Sequence, residues 1–394
     1  PRFGGGKVAE QGVAGDIRKT ETFQWYHRLD AVLRRADREV GNDVRFSISQ
    51  FPFGTEVETG WRPPKTPARL KFVPKDISKS RSICMEPSSV MFTQQAVLRW
   101  LREAMDGGPM RQFCDLRDQS INQRSALYGS LTGDVDTLDL SSASDCVSFD
   151  LVRRVFPKDV LYDLSLTRSR FAQLPDRSVV RLSKFAPMGS ALCFPTQCIL
   201  YVAIAIYASM KQSRWLESLP APHDRVLTHE QVRCFVQKYF APINGFIHPD
   251  CRLFQPLCVF GDDIVIDSRV SDTLTSLLTH FGFKVNLGKS FRGSQAIRES
   301  CGVYAFAGYD VTPIRYSLPG RRAALDAQFV ASCIGLTNRS NSMGFPELRK
   351  FLLNSVLRLG NRKLPIAFTL RDDLPYALQV YRRPQNDHLR RSSP

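Results

Sequence analysis

Apolar residues at helical spacing run from Val90 to Met105 and stop at Gly107 and Gly108, which predicts one long helix. A second apolar helix is expected from about Pro195 to Met210. Between them the period changes. Gly133 to Leu140 alternates as a strand does, and a helix is predicted to start near Ser144 and run to Val155. Leu257 to Asp267 reads as a hairpin whose two arms are both wholly apolar, the pattern of a central strand pair rather than an exposed ribbon. Short strands are predicted after Phe291, then helices over Arg322 to Ile334 and Pro346 to Leu359. Towards the start lie a Gly-rich opening (Gly4, Gly5, Gly6), a helix from Gln24 to Ala36, and a loop holding Pro63, Pro64 and Pro67. Residues 1–70 are read together as a peripheral subdomain. A strand and basic turn follow from Lys71 to Arg81, and the tail from Arg382 to Pro394 is polar and basic. No internal repeat is present.

Composition agrees with a folded chain of more than one core. There are 394 residues, 43% hydrophobic, 10% aromatic and 23% charged, a length at which two or three subdomains are expected. Lys and Arg number 54 against 38 acidic residues, a formal charge of +16 that favours a polyanionic partner through counterion release. The apolar stretch from Cys198 to Met210 is read as a buried helix, too short to span a bilayer, so a membrane is not expected as the partner. The ten cysteines form no CxxC pair and the histidines no HExxH pattern, which argues against structural zinc. Cys146, Cys193, Cys258 and Cys301 read as small packed thiols in a reducing compartment. The chain opens on Pro1, with neither an initiator Met nor a signal-type segment, and is read as a fragment or a trimmed chain.

Four segments carry candidate chemistry. Gly261-Asp262-Asp263 presents two acids at the tip of the apolar hairpin; such acids suit a hard divalent cation, and taken alone they also fit a solvated turn. Asp139 and Asp145 flank a strand-to-helix junction in Asp139-Leu140-Ser141-Ser142-Ala143-Ser144-Asp145, where helix capping is the plainer alternative. Strand parity puts Asp134 and Asp136 on the face opposite Asp139. Lys75, Lys79 and Arg81 lie in a basic stretch that fits either a triphosphate channel or a solvated charged turn. Met188-Gly189-Ser190 opens the second apolar helix, and Gly189 permits close backbone approach to a ligand, although a simple loop fits as well.

Taken in order, these segments resemble the fingers and palm motifs of RNA-dependent RNA polymerases, and in detail the replicase β subunit of positive-strand RNA bacteriophages of the levivirus type. The resemblance rests on Val73-Pro74-Lys75 with Arg81 and Glu86-Pro87, Asp139-Leu140-Ser141 with Ala143-Ser144-Asp145, Met188-Gly189, and Gly261-Asp262-Asp263. Asn286 with Lys289, Arg298-Glu299-Ser300-Cys301-Gly302 and Asp310-Val311-Thr312-Pro313 complete it. It implies an α+β right-hand fold: fingers and an N-terminal portion over residues 1–132, a palm with an antiparallel sheet over 133–318, and a thumb with the basic tail over 319–394. An N-terminal portion of the usual replicase is implied to be absent.

The function so implied is RNA-directed RNA polymerase, a nucleotidyltransferase that copies a viral single-stranded RNA from rNTPs and releases pyrophosphate. Two Mg²⁺ ions, with Mn²⁺ as the alternative, would be held by Asp139 and Asp262, with Asp263 in support. Lys289 is the implied proton donor to pyrophosphate, with Lys284 as a lesser alternative. Lys75, Lys79 and Arg81 would meet the triphosphate, Asp145 with Ser190 the ribose 2′-hydroxyl, and Gly189 and Gln197 the nucleotide. Cys193 and Gln197 stand where the broader polymerase pattern has Thr and Asn, and Phe260 where the family often has Tyr. Implied partners are an RNA template and nascent strand, rNTPs, the host elongation factors Tu and Ts and a ribosomal protein, in the cytoplasm of an infected bacterium. A reverse transcriptase-like polymerase and a non-enzymatic basic RNA-binding protein are the competing readings.

Overall fold

The computed structural model describes residues 8–9, 29, 67–74, 80–218, 227–240, 256–313, 327–342, 344–360, 366–367 and 378–379. Apart from Leu29, the predicted helix at Gln24 to Ala36 lies outside these residues, as do the tip of the basic turn and the C-terminal tail. The chain divides into two compact units, Pro1–Val311 and Thr312–Pro394.

In chain order the first unit contains β1 (Ala68–Pro74), β2 (Ser80–Met85), α1 (Ser88–Gly107), α2 (Ser120–Thr132) and β3 (Val135–Ser141). There follow α3 (Ala143–Cys146), α4 (Phe149–Val155), α5 (Lys158–Thr167), β4 (Phe171–Gln173), β5 (Val179–Arg181), α6 (Cys193–Gln212) and α7 (His229–Tyr239). The unit closes with β6 (Leu257–Phe260), β7 (Asp263–Asp267), α8 (Ser271–His280), β8 (Lys284–Val285), β9 (Ile297–Ser300), β10 (Val303–Phe306) and β11 (Tyr309–Asp310). The second unit holds α9 (Ala327–Ser342), α10 (Pro346–Gly360) and the short parallel pair β12 (Ile366–Ala367) and β13 (Leu378–Gln379). Helices thus combine with mainly antiparallel sheets in an α+β fold.

The central sheet has the order β6-β7-β3-β8, antiparallel throughout. Its apolar arms explain its position. On one face Leu138, Leu140, Leu257, Val259, Ile264 and Ile266 join the main core, which also takes in Cys198, Tyr201 and Val202 of α6 and Leu274 and Leu278 of α8. On the other face Val135, Cys258 and Val265 pack with Tyr128 of α2. A sheet covered on both sides needs apolar residues at successive positions, and the hairpin supplies them. A second sheet runs β2-β1-β4-β5, and a third β11-β10-β9.

Three expectations are corrected. The helix predicted from Ser144 to Val155 is two helices, because Val147 accepts from the Phe185 amide at 2.8 Å and the Phe149 amide donates to Ser183 at 3.1 Å. These long-range bonds draw Val147 and Ser148 out of helical geometry, and Ser148 caps a new helix by accepting from Leu151 N. The helix expected to end at Ile334 continues to Ser342. The apolar stretch expected to be too short for a membrane belongs to a 20-residue helix, α6, which by length and composition is long and apolar enough to cross one. In this fold 72% of its most apolar window is buried inside the protein.

Candidate active site

Strand register brings the acids together. Asp139 near the end of β3 is the cross-strand partner of Asp263 at the start of β7, and Asp263 pairs with Phe260 of β6. Gly261 and Asp262 alone therefore form the turn, a two-residue hairpin that requires a left-handed residue, and Gly261 has φ +65°. A Cβ there would lie 2.7 Å from the Phe194 ring of α6. The turn is fixed further by Gly261 N donating to Cys198 Sγ at 3.2 Å and Leu140 N donating to the Asp262 carbonyl at 3.2 Å. Asp262 is exposed at the tip and Asp263 half-buried beside it.

Asp139 is held by groups distant in sequence. Asn286 Nδ2 donates to Asp139 Oδ2 at 2.7 Å, the Asn286 amide donates to the Asp139 carbonyl at 2.8 Å, and the Asp139 amide donates to Ser290 Oγ at 3.2 Å. One carboxylate oxygen is thereby oriented and the other left for a ligand. Asp136 is a different kind of residue: buried, it accepts from Ser268 Oγ, Gly293 N and Arg298 Nη2, and Asp134 accepts from the Tyr128 hydroxyl.

Asp262 opens onto a cavity of about 420 Å³. Its walls are Ser80 to Ser82 of β2, Ser142 to Asp145, Met188 to Ser190, and Cys193, Phe194 and Gln197 of α6. The expected Arg81, Asp145, Gly189, Ser190 and Gln197 thus meet around Asp262. The chain reaches Asp145 through Ser142, whose φ of 51° turns the strand sharply into α3. Gly189 has φ +111°, and a Cβ would stand 2.2 Å from the Cys84 carbonyl oxygen, so only glycine lets this loop lie against β2. Gly189→Ala is expected to cost about 1–3 kcal/mol and to push the loop into the cavity; urea unfolding measures the first, and faster amide exchange at Ser190 and Cys84 the second.

Lys289 lies apart from the cavity lining, its ammonium 3.9 Å from Glu299. Lys75 and Lys79 lie outside the described residues. Lys184 was not anticipated: its ammonium pairs with Asp145 Oδ1. The orienting role of Asn286 was also missed, although the residue itself belonged to the motif set.

The electrostatics are those of crowded acids. Burial, then Asp262, with Asp139 and Glu299 adding to it, pushes the Asp263 carboxyl up to about 7. A divalent cation would relieve that repulsion, and the donors are hard carboxylate oxygens. Among the described residues no three His, Cys, Asp or Glu side chains form a ready cage. Mg²⁺ commonly takes one or two carboxylates and completes its shell with water and substrate phosphates, so the open arrangement fits it. Burial pushes the Cys193 thiol up to about 12, leaving it a neutral weak donor where the broader pattern has Thr.

A family model described as RNA replicase, beta-chain, matches residues 43–214 and 253–321. The RNA-directed RNA polymerase subunit beta of Enterobacteria phage SP is 32% identical over 264 residues, covering 65% of this chain and 37% of that protein. The corresponding beta chain of Escherichia phage MS2 is 30% identical over 247 residues, covering 63% and 37%, and that of Qbeta virus (strain MX1) is 31% identical over 245 residues, covering 61% and 34%. The chain thus spans little more than a third of the length of these relatives. Among solved structures, the RNA-dependent RNA polymerase of a human picobirnavirus aligns at 11% identity and a TM-score of 0.42, covering 74% of this chain and 55% of that one. The BmCPV RNA-dependent RNA polymerase at elongation state aligns at 12% identity and 0.48, covering 86% and 32%.

Proposed function

The chain belongs to the RNA replicase β-chain family, and from that premise we propose that it is an RNA-directed RNA polymerase copying single-stranded viral RNA from rNTPs with release of pyrophosphate. One observation carries the proposal: Asp139 and Asp263 are partners on adjacent strands, and Asp262 beside them opens onto a cavity that also presents Arg81 and Asp145. Carboxylates on two rigid strands suit an in-line displacement better than a cluster on one loop.

Asp139 and Asp262 would hold the divalent ions, with Asp263 in support. Ions held there would supply Lewis acidity for the RNA 3′-hydroxyl and positive charge for the leaving pyrophosphate. Arg81 meets the triphosphate as a fixed cation, and Lys75 and Lys79 are assigned the same role. Asp145 and Ser190 receive the ribose 2′-hydroxyl, Gly189 lets backbone approach the nucleotide, and Gln197 lines its seat. Lys289 delivers the proton to pyrophosphate. Asn286 keeps Asp139 oriented, and Asn286→Ala is expected to lower kcat about 10–100-fold with little change in KM, read from steady-state incorporation.

In right-hand terms, residues 133–318 form the palm around the central sheet, 1–132 the fingers and preceding portion, and 319–394 the thumb and tail. The partners are RNA template, nascent strand and rNTPs; the phage resemblance adds elongation factors Tu and Ts and a ribosomal protein, in the cytoplasm of an infected bacterium. The test is incorporation of labelled rNTPs against dNTPs on an RNA template with pyrophosphate counted. One pyrophosphate per ribonucleotide supports the proposal. A preference for dNTPs moves the chain to reverse transcription, and RNA binding without incorporation reduces it to a binding protein.

A further inference from the structure

Lys184 stands just outside the cavity, behind Asp145. Its ammonium pairs with Asp145 Oδ1, while Asp145 itself lines the cavity with Ser144 and Ser190. Asp145 Oδ2 carries no hydrogen bond among the described residues.

The backbone around Lys184 is firmly held. Arg168, itself buried, donates to the carbonyls of Lys184 at 2.8 Å, Phe185 at 2.8 Å and Leu182 at 3.1 Å, and its guanidinium lies 4.4 Å from the centre of the Phe149 ring. The amides of Phe149 and Phe185 bond across this strap to Ser183 and Val147. The lysine thus projects from a stiff segment crossing the break between α3 and α4.

As a stability device the pair is weak, because partly exposed ion pairs contribute little. Its geometric consequence is larger. A carboxylate offers two acceptor oxygens, and an ammonium on one of them sets the rotation of the group and so the direction of the other. We infer that Lys184 is a positioning residue for sugar selection, holding Asp145 so that Oδ2 accepts from the 2′-hydroxyl of the incoming ribonucleotide. This rests on the polymerase reading above. Lys184 touches neither nucleotide nor metal in this arrangement; it acts through Asp145. A deoxyribonucleotide, lacking the hydroxyl, gains nothing from that orientation.

The experiment compares kcat/KM for rNTPs and dNTPs in wild type, Lys184→Met, Lys184→Arg, Asp145→Asn and the Lys184→Met/Asp145→Asn double variant. Lys184→Met is expected to lower the rNTP-to-dNTP ratio about tenfold, mainly through a higher KM for rNTPs. Lys184→Arg is expected to recover most of the ratio, and Lys184→Met to add nothing once Asp145 is Asn. If Lys184→Met does not fold, Lys184→Gln carries the same expectation, since it also removes the charge. A folded variant whose ratio stays at the wild-type value, or one that loses rNTP and dNTP incorporation equally, overturns the assignment. Wild-type chain that incorporates neither sugar overturns the polymerase reading as well, so the two failures are distinguishable.

Discussion

Asp262→Asn is expected to abolish templated synthesis, lowering incorporation by about a thousandfold or more, on the order of 4 kcal/mol of barrier, without unfolding the chain. Two observations support the separation of chemistry from folding. Asp262 is exposed at the tip of the hairpin, and the turn is fixed by its backbone and by Gly261. Replacing a carboxylate oxygen by an amide nitrogen therefore removes a charge and the proposed metal donor while leaving the β6–β7 turn intact. The urea midpoint should match wild type while incorporation vanishes. The same change at Asp263 is expected to cost less, since Asp263 is half-buried behind the tip and is proposed only as the supporting acid.

The largest effect on stability is expected at Arg298. Its side chain is fully buried and donates to the carbonyls of Val135 at 2.7 Å, Gln295 at 2.5 Å, Ile297 at 2.8 Å and Gly293 at 2.8 Å, and to Asp136 Oδ1 at 3.3 Å. One guanidinium thus ties the start of β3 to the loop before β9. Burial alone lowers its pKa, and Asp136 opposes that shift. Arg298→Met keeps much of the volume but leaves a buried carboxylate and several carbonyls without this donor. Such a loss costs about 3–5 kcal/mol, visible as a lower urea midpoint. An Asp136→Asn/Arg298→Met pair should be less unstable than the sum of the single changes, because the unpaired charge goes with Asp136.

The hairpin was legible because Leu257 to Phe260 and Ile264 to Ile266 are apolar at every position and the tip between them is not. That pattern predicts a central strand pair; β6 and β7 are indeed flanked by core on both faces, but only β7 is central, and β6 is the edge strand of the sheet. Asp139 was separable from Asp136 for a similar reason: strand parity put them on opposite faces, and Asp136 is engaged with Arg298 while Asp139 partners Asp263. What local pattern could not show were partners far apart in sequence. Asn286 reaches Asp139 across 147 positions and Lys184 reaches Asp145 across 39. Neither has a periodic signature, since each is set by how two loops pack rather than by any repeat along the chain. The interrupted helix at Val147 and Ser148 failed for the same reason. Its local sequence favours helix, and only the strap from Ser183 to Phe185 competes for its backbone groups.

The central claim is that these acids carry out templated RNA synthesis. It is tested most directly by giving the full-length chain a homopolymeric RNA template, one labelled rNTP at a time, with and without Mg²⁺. The account predicts incorporation of the complementary ribonucleotide alone, only with the divalent ion, and none by Asp262→Asn. Incorporation that ignores the template base, persists without a divalent ion, or survives Asp262→Asn would contradict it.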